Sequence, residues 1–76
     1  MNKMRKISIK AEKLADFIES LNGTINTYRN TNATYLENVD GRYDDLDHWD
    51  KGCYDRNAES IEALSELIED LERVKL

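Results

Sequence analysis

The chain has 76 residues, 39% of them apolar and 36% charged, with no proline, three glycines, one cysteine, one histidine and a net charge of -5. Those proportions exclude wholesale disorder and more than one domain. The scarcity of turn formers excludes a small β-sheet protein, and the lone cysteine and histidine exclude a disulfide framework and a Cys/His zinc site.

The charge is uneven. Residues 1–38 carry six basic and four acidic side chains for a net of +2, whereas residues 39–76 carry five basic and twelve acidic for a net of -7. So acidic a chain is a poor match to a nucleic-acid backbone, which rewards clustered lysine and arginine. No apolar run approaches the ~20 residues that cross a bilayer, so stable membrane insertion is not expected. The basic start (Lys3, Arg5, Lys6, Lys10, Lys13) has no apolar stretch behind it and does not form a classical signal peptide.

The strongest regularity begins at Ile7. Ile7, Ala11, Leu14, Ile18, Leu21, Ile25, Tyr28, Asn32, Tyr35 and Val39 follow one another in alternating steps of four and three, the a/d seam of a heptad repeat. Arg42 interrupts it, and apolar residues resume at Tyr43, Leu46 and Trp49 after a stutter beside Gly41. The pattern predicts a first helix over about 9–47, capped by Ser8 and bent near Asp40-Gly41, with an end at that pair as the less favoured alternative. Such a rod is ~58 Å long, at ~1.5 Å per residue. The asparagine- and threonine-rich stretch at 22–34 would be loop on local preference alone. It is read as helix because Ile25, Tyr28 and Tyr35 keep phase across it. Asn32, the one polar member of the seam, either fixes register or marks a solvent-exposed stretch.

The next expected element is a turn over 48–53, with Gly52 as the residue that reaches positive φ cheaply. A second helix follows over about 54–74, with Ala58, Ile61, Leu64, Ile68 and Leu71 as its apolar line. Trp49 is expected either to plug the end of the bundle or to anchor a partner. Cys53 reads as a small apolar filler. The aspartates at 40, 44, 45, 47, 50 and 55 lack the spacing of the twelve-residue calcium loop and are read as solvated surface, with no metal and no cofactor assigned.

Two helices joined by a short connection predict an all-α, two-helix antiparallel hairpin occupying the whole chain as a single domain. A hairpin has no second layer, so two of them placed face to face are expected to form a four-helix bundle. The residues expected to bind the partner are Leu14, Ile18, Leu21, Ile25, Tyr28, Asn32, Tyr35, Val39, Leu46 and Trp49. Without a glycine-rich phosphate loop or a nucleophile–base pair at useful spacing, and with His48 lacking an evident pocket, no enzymatic activity is expected.

A long helix, a connection holding tryptophan and a nearby glycine, and a second amphipathic helix resemble the WxG family of small helical-hairpin proteins exported by type VII secretion. The resemblance spans Ile7 to Leu71. It departs from the family at the motif, which here is Trp49-Asp50-Lys51-Gly52 with one extra residue, and in its shorter second helix. The family's export signal, tyrosine followed four positions later by an acidic residue, has its spacing here in Tyr43 and Asp47, upstream of the tryptophan. The resemblance implies dimers with itself or a related helical protein, a non-classical bacterial route to the surface or medium, and work as an effector, adaptor or targeting partner of a larger secreted toxin or of the secretion machinery. The competing expectation is a cytoplasmic or phage-type helical oligomeric regulator or accessory protein.

Overall fold

In the computed structural model, which describes the backbone of residues 3–74 and the side chains of residues 10–74, the chain is an all-α helical hairpin. Helix α1 spans Lys3–Glu37, a single 3-10 turn spans Tyr43–Asp45, and helix α2 spans His48–Glu72. Asn32 meets Tyr54 and Asn57 near the connection, while Leu14 and Ile18 lie beside Leu71 at the far end, so the arms run antiparallel. The molecule measures 60 × 16 × 16 Å.

The stretch at 22–34 is helix throughout, as its seam residues require. The structure shows how a segment of poor propensity is kept in place. Thr24, Thr27, Thr31 and Thr34 each donate their hydroxyl to the carbonyl four residues back, at 3.1, 3.1, 2.9 and 3.1 Å. The hydroxyls thus find partners on the helix itself instead of competing for a turn.

The first helix stops at Glu37, ten residues before the expected limit of 47, and it begins at Lys3, so Ser8 is not its cap. Its end is a Schellman closure. The Gly41 N–H bonds the Leu36 carbonyl at 2.7 Å and the Asp40 N–H bonds the Glu37 carbonyl at 3.3 Å. Closing the helix this way needs left-handed backbone, which Asp40 (φ 53°) and Gly41 (φ 79°) supply. Val39, Tyr43 and Leu46 mimic a continuing seam in sequence but belong to the connection.

Gly52 is not the turn residue. It lies inside α2, which begins at His48, six positions before the expected start at about 54, because Asp47 caps it. The Asp47 carboxylate accepts a hydrogen bond from the Asp50 N–H at 2.7 Å. The end-plug role offered to Trp49 falls instead to Leu46, only 5% exposed, while Trp49 stands 72% exposed in the first turn of α2.

The exchange of roles between the two glycines is directly measurable. Gly41→Ala should destabilise the hairpin by about 1 kcal/mol, since a side chain at φ 79° is strained although nothing lies within 4 Å of the added Cβ. Gly52→Ala should stabilise it by about 0.5–1 kcal/mol, since it removes a helix-interior glycine into open space. Urea denaturation of the two variants checks this, and opposite signs would return the turn to Gly52.

Candidate protein-interaction surface

The a/d seam of α1 is used inside the hairpin. Ile25 is 4% exposed and Asn32 7%, while Leu14, Ile18, Leu21, Tyr28, Tyr35 and Val39 are half-buried. On α2 the matching row is Tyr54, Asn57, Ile61, Leu64, Ile68 and Leu71. The expected partner-binding residues Ile25, Asn32 and Leu46 are therefore buried within the single chain, and Asn32 is bonded directly to the second arm. That arm reaches back to Leu14 and Ala11, which lie beside Leu71 and Val74.

Asn32 bridges the arms. Its Nδ2 donates to the Tyr54 carbonyl at 3.2 Å, and its Oδ1 accepts from Asn57 Nδ2 at 2.9 Å. Both polar ends of the buried amide are satisfied, and among the described residues no buried side-chain nitrogen or oxygen lacks a partner. Asn32 thus sets the stagger of α1 on α2 within one chain.

The connection is strapped to one edge of α2. The Tyr43 hydroxyl donates to the Asp55 carboxylate, 2.8 Å from Oδ1 and 2.9 Å from Oδ2. The Tyr43 ring meets Tyr54 edge to face at 5.3 Å between centroids, and Lys51 Nζ sits 5.7 Å from the centre of the Tyr43 ring. Of the expected export signal, then, Tyr43 fastens the connection and Asp47 caps α2.

The bond to Asp55, then burial and the Asp55 and Asp44 charges, raise the Tyr43 pKa above its ordinary 10.0. A group whose folded pKa is raised contributes fully below its unfolded pKa, and the contribution disappears as pH rises through the folded value. The strap should therefore hold at neutral pH and release above pH ~10. Amide exchange across Arg42–Leu46 checks this. Protection should be lost at neutral pH in Tyr43→Phe and retained in the parent chain, and equal protection in both would refute the strap.

On the same edge as the strap, Arg29, Ala33, Leu36, Ala58 and Ile61 line a groove of about 360 Å³, open along its side. The opposite edge is free of the connection. Along α1 it carries Phe17, Ser20, Thr24, Thr27, Thr31 and Thr34, in alternating steps of three and four. Along α2 it carries Trp49, Cys53, Arg56, Ser60, Ala63 and Leu67, again at helical spacing. Among the described residues, the large apolar side chains left exposed are Phe17 (50%), Trp49 (72%), Leu67 (40%) and Val74 (47%). The first three lie in these rows, and the spacing of Val74 from Leu67 continues the second.

Arg56 is the lone charge between Phe17 and Thr34 on one arm and Trp49 and Leu67 on the other, and its Nε turns back to the Gly52 carbonyl at 3.4 Å. The threonine hydroxyls are spent on their own helix, so each offers its γ-methyl to a neighbour. In a chain that is 36% charged, a flank this poor in charge and dotted with large apolar groups has the make-up of an interface core. The Cys53 thiol at its rim lies beside the Tyr35 hydroxyl. With lesser contributions from burial, Asp50 and Asp47, it raises the Tyr35 pKa above 10.0.

No group of three or more His, Cys, Asp or Glu side chains is arranged to hold a metal ion among the described residues. The aspartates at 40, 44, 45 and 47 lie in the connection and not on one helical face. No helix among the described residues is long and apolar enough to cross a membrane. Comparison of the chain with protein-family models, with curated proteins and with solved structures returns no match.

Proposed function

We propose that this chain is a non-enzymatic helical protein–protein interaction module that docks its charge-poor flank against a second helical protein, two helix pairs then forming a four-helix bundle. The observation that carries this reading is surplus surface. A compact monomer of 8.9 kDa exposes ~4,800 Å², whereas this hairpin exposes 6114 Å². Its radius of gyration, 17.7 Å, likewise exceeds the ~11 Å of a compact domain of this length. Apolar burial is correspondingly thin: among the described residues, Ile25, Leu46 and Ile68 are the buried hydrophobic residues and no large side chain is fully enclosed.

The cellular setting that the reading supplies is type VII secretion, with the chain as a small effector, adaptor or toxin-targeting partner that leaves the cell by that route. Support comes from the order of elements and from Trp49 and Gly52, which share the first turns of α2. Expression in a bacterium that owns such a machine tests the setting. The chain should accumulate in the medium and stay inside when the machine's motor ATPase is inactivated. Retention in both strains would overturn the secretion role. Docking is tested separately, by binding of the purified chain to a purified helical export domain of a secreted toxin. Ala63→Glu on the flank should abolish that binding and Ala58→Glu on the other edge should not. Equal loss from both would overturn the flank as the surface.

A further inference from the structure

We infer that the strap-side edge of the hairpin is a second docking surface, and that it takes a lysine- or arginine-rich amphipathic helix of another protein, laid along the groove between the arms. This edge lies opposite the charge-poor flank, so the two can be occupied at once, and the inference does not depend on what covers the flank.

The groove has an apolar floor in two stretches. One is the opening of about 360 Å³ beside Ala33, Leu36, Ala58 and Ile61. The other, of about 410 Å³, lies at the far end, where Ala11, Leu14, Ala15 and Ile18 meet Leu71 and Val74. Ala33 follows Ala15 by eighteen positions, which is five helical turns, so the two stretches open on one edge about 27 Å apart. Ala15, Ala33, Ala58 and Ser65 along this edge are small, and small side chains let a third helix approach closely.

The rim selects the occupant. Glu12 and Glu19 stand a turn to either side of Ala15, Asp55 and Glu62 a turn to either side of Ala58, and Glu69 a turn beyond Ser65, all of them exposed. Glu72 borders the far stretch, and Glu37 and Asp40 border the connection end with Ala33 and Leu36. Against these stand Arg29 in the groove wall and Lys51, which sits over the Tyr43 ring. The ion pairs among the described residues, Arg42–Asp45 and Arg73–Asp70, use none of the rim carboxylates. Carboxylates on both sides of an apolar floor favour an apolar stripe flanked by cations and repel nucleic acid or an anionic lipid surface.

The spacing of the acids points to a helix as the form of that partner. Asp55, Glu62 and Glu69 recur every seven residues, and so do Glu12 and Glu19. Between packed helices, acids repeated at that interval pair with lysines or arginines repeated at the same interval and set the partner's orientation. An occupant with one apolar anchor in each stretch needs about 18 residues of helix, at ~1.5 Å per residue.

The test uses the full chain and two synthetic helical peptides of about 21 residues, long enough to span both stretches. Both contain only leucine, alanine and lysine in one composition. In the first, leucines form a single stripe with lysines beside it at seven-residue intervals, and in the second the order is shuffled. Fluorescence anisotropy at low salt should show micromolar, one-to-one binding of the patterned peptide, at least about tenfold weaker binding of the shuffled one, and weakening of both as salt rises. Equal binding of the two peptides would overturn the helical register. Glu62→Lys with Glu69→Lys should weaken binding of the patterned peptide by at least about tenfold. Glu59→Lys with Glu66→Lys makes the same change of charge on the outer face of α2 and should leave binding within about twofold. Equal loss from the two double variants would overturn the edge as the surface, since net charge alone would then account for the attraction. Ala58→Gln, which fills the floor without changing charge, should weaken binding about fivefold, and unchanged binding would remove the groove. Self-association of the parent chain that is lost in Glu62→Lys with Glu69→Lys would overturn another protein as the occupant and seat the basic start of a second copy there. Neither double variant alters the flank, so binding of a toxin's export domain, tested with Ala63→Glu, stands or falls separately.

Discussion

Replacing Ile25 with alanine is expected to cost about 2–4 kcal/mol in chemical denaturation at fixed chain concentration. Ile25 is the most enclosed of the buried hydrophobic residues, 4% exposed near the middle of α1. Truncation forfeits the transfer free energy of three carbons and leaves a void that two stiff helices cannot collapse to fill. A chain of this length has a total stability of ~4–11 kcal/mol on the usual per-residue scale, so the loss is a large share of it. Phe17→Ala makes the contrast. Phe17 is 50% exposed, so within a single chain its loss should cost well under half as much. A cost for Phe17→Ala that appears only at concentrations where chains associate would place the ring in the interface. Equal costs for Ile25→Ala and Phe17→Ala at high dilution would mean that the buried line has been misassigned.

Asn32 should show the second large effect, and a different signature. Asn32→Ala strands the Asn57 amide and the space around it, a loss of about 1–3 kcal/mol. Asn32→Leu combined with Asn57→Leu removes both members of the 2.9 Å bond and replaces them with apolar bulk. The double variant should recover most of the stability lost in either single variant, with a coupling of about 1 kcal/mol or more in the cycle. What it should not recover is a single stagger of the arms, because apolar side chains slide past one another where a bridging amide does not. Backbone amide spectra with doubled or broadened signals near Tyr54 would record that. Sharp, single spectra from the double variant would show that Asn32 sets no register.

The hairpin was legible in the sequence as far as Tyr35, because the seam is apolar and stays in phase. The threonine-rich stretch also obeyed that phase against its local preference. The end of α1 was not legible. Val39, Tyr43 and Leu46 fall at nearly heptad spacing, and that spacing does not distinguish a helix face from a connection folded back over one. The informative signal was Asp40-Gly41, a pair able to hold the positive φ that closes a helix. Gly52 drew attention as a turn former, whereas the deciding residue was Asp47, whose carboxylate starts α2 upstream of it.

The charge-poor flank was the least legible feature. Ser20, Thr24, Thr27, Thr31 and Thr34 recur at helical spacing, but in the sequence the threonines stand out only as poor helix formers. Only the back-bonding of the threonine hydroxyls turns four of those positions into a row of methyl groups. The exposed Phe17 and Leu67 become neighbours of that row only once the two arms are placed side by side.

Thermal unfolding of the full chain at two concentrations about a hundredfold apart tests most directly whether the fold is completed by association. A helical hairpin whose flank is covered by association gains stability by mass action, so the midpoint should rise with concentration and by several degrees. One midpoint at both concentrations, with full helicity and a sharp transition in a sample of single-chain mass, would contradict the account.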